Sequence, residues 1–111
     1  MAVSEMVGRE VRLNDVDWMI LETLQDGRRY TQNYLAYDLD RFEDQSYGWI
    51  RRRVMNLHDS GLVETVGSSA MYEISDRGRA ALELRDEADI SDLDPVEFGD
   101  MVRERAEERS D

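Results

Sequence analysis

The stretch SYGWIRRRVMNLHDSGLVETVGSSAMYEIS, residues 46–75, decides how this chain folds. Its first half reads as one amphipathic helix. Ser46 can cap it, because a serine hydroxyl accepts a hydrogen bond from an orphan backbone N–H of the first turn. Ile50, Val54 and Leu57 follow at i, i+4 and i+7, one apolar stripe on a helical period. Gly48, Arg51, Arg52 and Met55 point well away from that stripe, and Trp49 and Arg53 flank it. Gly61 stands where a residue in left-handed conformation would stop the helix.

The second half reads as a hairpin. Two short runs of period-two alternation flank Gly67-Ser68-Ser69-Ala70, with Tyr72 and Ile74 expected to face the helices and Glu73 and Ser75 to face outward. A further helix starts near Asp76, where Gly78 allows close packing on the sheet and Ala81, Leu82 and Leu84 supply apolar contacts. A helix that ends in Ser-Gly and passes straight into two short strands is the core of a winged helix-turn-helix, in which that helix is offered to the DNA major groove. The fold class expected is therefore α+β and mainly helical: a three-helix core plus a β-hairpin wing, with an additional C-terminal helix.

Upstream lies the support for that core. Residues 1–13 show no clean periodicity and are expected to make a loosely docked start, helical at most from Glu5 to Arg12. Asn14 caps the first firm helix with Asp17 three residues on, in the manner of a capping box. Val16, Ile20 and Leu24 share its inner face, Gly27 ends it, and Trp18 closes over the core edge. Arg28–Tyr30 can supply a short strand. Thr31 caps a second helix, TQNYLAYDL, whose Leu35, Ala36 and Leu39 face inward, and residues 40–45 make the turn, with Phe42 as a plug beneath it. Tyr34 and Tyr37 either touch the DNA backbone through their hydroxyls or cover the core.

The outward face of the 46–60 helix holds guanidinium groups, the open approach at Gly48, and aromatics at Tyr47 and Trp49. Arginine suits guanine O6/N7 and phosphate because its planar fork donates two parallel hydrogen bonds. The candidate DNA-binding residues are Ser46, Tyr47, Gly48, Trp49, Arg51, Arg52 and Arg53, with Thr31 and Gln32 at the start of the second helix and Ser68 and Ser69 at the wing tip. A solvated basic face is the plainer reading of three consecutive arginines, and the hairpin that follows weighs against it. The wing tip carries no basic residue, a departure from many DNA-binding wings, although serine hydroxyls and backbone N–H groups can still bond phosphate.

With a net charge of −12 over 111 residues, the distribution matters more than the sum. Residues 1–45 hold 5 Arg against 10 acids and residues 83–111 hold 4 against 12, whereas residues 46–82 hold 5 against 4. Only the helix–hairpin segment escapes the acidity. All 14 basic residues are Arg, none Lys. Strong acidity with no lysine suggests a protein suited to a very salty cytoplasm, where surface carboxylates keep it dissolved. Counterion release contributes little affinity there, so specificity would rest on directional contacts and shape.

Residues 14–84 resemble winged-helix regulators of the group that includes the phi-H phage repressor-like proteins of haloarchaea. The segments that carry the likeness are DWMILETL, TQNYLAYDL, SYGWIRRRVMNLHDSGLV and YEISDRGRAAL, the SGLV…YEISDRG combination being the most specific. The resemblance implies sequence-specific binding of double-stranded DNA, usually as a homodimer, and transcriptional repression, often in a virus or provirus. It says nothing of residues 85–111.

In that remainder, 85–94 reads as an acidic linker, and Asp94, Pro95 and Glu97 make a strong helix start. Phe98, Met101, Val102 and Ala106 form a narrow stripe expected to pair with its twin in a dimer; docking back on its own domain is the alternative. No catalytic set is apparent. Cysteine is absent and His58 is the only histidine, so thiol nucleophiles and His-based triads or metal sites lack their members. Asp89, Asp92 and Asp94 lack the glycine and terminal Glu of a calcium loop. No enzyme activity, cofactor, metal or small-molecule ligand is expected. No run is apolar enough to span a bilayer and no secretory signal is evident, so the expected location is the cytoplasm. The rival to DNA binding is a protein-interaction module whose acidic faces bind a basic partner or mimic DNA.

Overall fold

A computed structural model describes residues 11–38, 45–67, 71–87, 90 and 92–110. Helix α1 (Asp15–Leu24) is followed by strand β1 (Tyr30–Thr31), a short helical segment α2 (Tyr34–Asp38), helix α3 (Tyr47–Asp59), strands β2 (Val63–Thr65) and β3 (Met71–Ile74), and helices α4 (Asp76–Glu87) and α5 (Pro95–Ser110). The class is α+β and mostly helical, with one antiparallel sheet of three strands. Among the described residues no helix is long and apolar enough to cross a membrane. The expected start in residues 1–10, the Phe42 plug and the turn around it, Leu39, the Tyr37 side chain and the tip serines Ser68 and Ser69 lie outside the described residues.

Local chemistry sets most element ends. The Asn14 side chain accepts from Asp17 N–H while the Asp17 carboxylate accepts from Asn14 N–H, both at 2.9 Å, so the capping box closes with the shorter acid. Ser46 Oγ accepts from Trp49 N–H at 3.1 Å. Gly61, with φ near 80°, ends α3 and turns the chain so that Leu62 N–H reaches back to the Leu57 carbonyl. Asp94 Oδ1 accepts from Val96 and Glu97 N–H at the head of α5. Thr31 Oγ1 accepts from Tyr34 N–H at 3.0 Å, as a cap would, but Tyr34–Asp38 winds with π rather than α hydrogen bonds.

The sheet runs β1-β3-β2, with Tyr30 opposite Tyr72 and Val63 opposite Ile74. The first strand thus starts two residues later and ends one residue later than 28–30. Ile20, Leu21, Leu24, Leu35, Ile50, Val54, Leu57 and Leu62 are all fully buried and make the common centre of α1, α2 and α3. Tyr72 and Ile74 face it as alternation requires. Ser75 does not face outward. It is buried, donating to the Gly61 carbonyl at 2.5 Å and accepting from Gly78 N–H at 3.2 Å, because the chain has left the strand there and needs a cap for α4. Gly78 packs against the Leu62 carbonyl and Ile74 with no space for a Cβ.

The C-terminal helix requires two corrections. Helix α4 continues through Arg85 to Glu87, so the linker starts later than residue 85. Phe98, Val102 and Ala106 are 5%, 1% and 6% exposed within this single chain, leaving Met101 as the one exposed member of the stripe. A stripe already covered by its own domain is not available to pair with a twin, so dimerisation through it is corrected to intramolecular docking on α4. Arg105 clamps the contact through paired bonds to the Glu87 carboxylate at 2.6 and 2.8 Å, and Arg109 bonds Glu83. That pairing holds the Glu87 carboxyl below its ordinary range. Trp18 lies over the same corner, 6.2 Å from the Phe98 ring and 4.9 Å from the Arg85 guanidinium.

Candidate nucleic-acid interface

Buried Ile50, Val54 and Leu57 fix α3 against the core, which turns Gly48, Arg51, Arg52, Met55 and Asn56 to solvent. The three consecutive arginines then separate. Arg53 swings toward α1: its Nε and Nη2 donate to the two carboxylate oxygens of Asp17 at 2.7 and 2.5 Å, and its guanidinium lies 5.5 Å from the Trp49 ring centroid. The Asp17 side chain is completely buried. The hydrogen bonds to Asp17 hold the Arg53 proton more tightly than usual, against the opposing effect of partial burial. Arg53 is therefore a residue that joins α1 to α3, and it does not stand on the outward face with the other candidate residues. Trp49 packs beside the core on the same flank and leaves the outward face with it.

Arg51 and Arg52 remain on that face. Arg51 Nε donates to Gln32 Oε1 at 3.0 Å, and its guanidinium lies 5.5 Å from the centre of the Tyr47 ring. Tyr47 Oη in turn donates to Asn33 Oδ1 at 2.5 Å. Among the described residues the Arg52 guanidinium makes no hydrogen bond or ion pair. Gln32 is the joint of the network. An arginine only donates, so the Gln32 carbonyl oxygen must face Arg51 and its NH2 group must face the other way. There it meets Tyr72 Oη at 2.9 Å and Met55 Sδ at 3.4 Å. Thr31 is occupied as a cap, and Ser46 likewise.

Electrostatics mark the same face. The chain carries 26 carboxylates, yet residues 27–37, 46–58 and 65–72 contain none. The β1–β3 register and the Gln32 contacts bring these three segments together. Among the described residues, these segments set Arg51 and Arg52 on a stretch of surface to which they themselves contribute no carboxylate, in a protein of net charge −12. Among the described residues no group of histidine and acidic side chains could hold a metal ion.

No family model, curated protein or solved structure matches the chain. The site therefore rests on its own geometry. Of the candidates read from the sequence, Tyr47, Gly48, Arg51, Arg52, Gln32 and the cap residues Ser46 and Thr31 fall together. Trp49 and Arg53 fall on the α1 side. Three participants escaped the sequence reading. Asn33 carries no signal of its own. Tyr72 was legible only as a core residue, and Met55 only as outward-facing. His58 sits edge-on to Tyr72 at 6.1 Å, at the border of core and solvent.

Proposed function

We propose that the chain is a winged-helix, sequence-specific binder of double-stranded DNA that acts as a transcriptional repressor, with α3 entering the major groove. The carrying observation is the gathering of three carboxylate-free segments around Arg51 and Arg52 in a protein of net charge −12. A helix that presents Arg51 and Arg52 away from its core, neither of them in an ion pair among the described residues, suits base edges and phosphates. The element order, with a helix passing through Gly61 into a β2–β3 hairpin that pairs with β1, supports the winged-helix reading. The likeness of SGLV…YEISDRG to phage repressor-like proteins supports repression as the outcome.

A gel shift and footprint on the DNA upstream of the protein's own gene, at the salt where it is folded, tests this. A protected segment bound more tightly than random duplex is expected. Equal binding to both would remove the proposal. The acidic remainder of the molecule favours one rival, capture of a basic protein, which would yield a complex unaffected by replacing Arg51 and Arg52.

A further inference from the structure

An exposed methionine in the middle of a polar face needs a reason. Met55 is 43% exposed, one helical turn beyond Arg51 and on the same side of α3. Single exposed apolar side chains are ordinary, and exposure alone would mean little. Met55, however, is held. Its sulfur accepts from the Gln32 amide at 3.4 Å and from Tyr72 Oη at 3.6 Å, and the same Gln32 amide accepts from Arg51. Thioether sulfur is a weak acceptor, so these contacts orient more than they bind. Tyr72, only 8% exposed, anchors the arrangement to the sheet. An arginine and a methionine on one helix face are thus set in fixed relation by one glutamine.

We propose that Arg51 and Met55 form a two-part reader in which Arg51 takes a guanine and Met55 covers the C5-methyl of a thymine close by. The inference rests on the DNA-binding reading above and names what that surface selects. Guanine offers O6 and N7 as paired acceptors in the major groove, which match the terminal nitrogens of Arg51 left over once Nε is committed to Gln32. Thymine is the base that offers an apolar group there, and a polarisable, unbranched thioether side chain fits it well. Four residues of α-helix rise about 6 Å, or roughly two base steps, so both bases belong to one half-site. Gln32 is a positioning residue in this arrangement. It keeps the long arginine and methionine side chains from sampling other rotamers, which lowers the ordering cost when DNA arrives.

The test selects bound sequences from a random duplex pool with the full chain, then measures affinity for modified versions of the selected site. The expected site contains a guanine with a thymine within about two steps. Replacing that thymine by uracil, which removes only the methyl, is expected to weaken binding about fourfold, the equivalent of one buried methyl group. Replacing the guanine by 7-deazaguanine is expected to weaken it at least fivefold. Met55→Ala, a surface change that leaves the core intact, is expected to bind the thymine and uracil sites equally while keeping the guanine preference. Gln32→Ala is expected to blunt both preferences together. An enriched site at which no uracil substitution matters, or a Met55→Ala protein with the same uracil penalty as the parent, would overturn the reader and leave DNA binding standing. A pool with no enriched sequence would overturn both.

Discussion

The guanidinium of Arg53 spans both carboxylate oxygens of Asp17, at 2.7 and 2.5 Å, and Asp17 is also the residue that closes the cap of α1. One buried acid thus fixes the start of the first helix and the angle at which the third crosses it. The orientation of Arg51 and Arg52 depends on that crossing, since all three arginines share a helix.

Removing either partner strands the other in a poorly hydrated position. Asp17→Ala is expected to cost about 3–5 kcal/mol, read by chemical denaturation at fixed salt. Arg53→Lys is expected to recover only part of the loss of Arg53→Ala, because an ammonium cannot bridge both oxygens. The footprint of an Arg53 variant that keeps the parent's stability, and with it the crossing of α1 and α3, is expected to stay unchanged. A variant of full stability that no longer binds DNA would return Arg53 to the interface.

Packing around Gly78 is a second point of sensitivity. A methyl group there meets the Leu62 carbonyl, which already accepts from Ser75 N–H, together with the Ile74 side chain. Gly78→Ala is expected to destabilise the protein by about 1–3 kcal/mol, despite its favourable helix propensity. A gain in melting temperature would show that α4 can move away from the hairpin at little cost.

Much of this was readable in the sequence because it is local. The caps at Asn14, Ser46 and Asp94 and the stripe Ile50, Val54 and Leu57 depend on spacings within one helix. The division of labour among Arg51, Arg52 and Arg53 was not readable. Three identical residues differ only in angle about the helix, and which angle meets Asp17 is fixed by how α1 and α3 pack. The stripe of α5 was visible as a stripe, but periodicity does not name the surface that covers it. The strand's alternation, carried one residue past Ile74, points Ser75 outward, but a cap takes over there.

Docking of α5 on its own domain predicts that Phe98 contributes to folding rather than to assembly. Phe98→Ala is expected to destabilise the chain by about 3–5 kcal/mol with no change in sedimentation mass. Conversion of a dimer into a stably folded monomer by this change would restore the stripe as an interface.

The turn before β1 predicts a pH signature. Tyr30 Oη donates to Asp26 Oδ2 at 2.7 Å, and this bond raises the Tyr30 hydroxyl above its ordinary value near 10. Asp26 is lowered below 3.8, first by Arg28 N–H and then by Tyr30. The raised phenol contributes stability fully below about pH 10, lost as pH climbs through its folded value. The lowered acid contributes above about pH 3.8, lost as pH falls through its own. The contact is therefore complete across the neutral range. In an ultraviolet phenolate titration one tyrosine is expected to ionise late, and Asp26→Ala is expected to bring it back toward 10. An identical titration curve in that variant would show that the bond does not form.

Whether α3 reads DNA through Arg51 and Arg52 is tested most directly by binding isotherms of the protein and of Arg52→Ala on the protected upstream fragment and on random duplex. The parent is expected to prefer the fragment, and Arg52→Ala to lose about 1–3 kcal/mol of that preference while remaining folded. Equal affinity of the parent for both duplexes, or a variant with its preference intact, would show that α3 does not read DNA through these arginines.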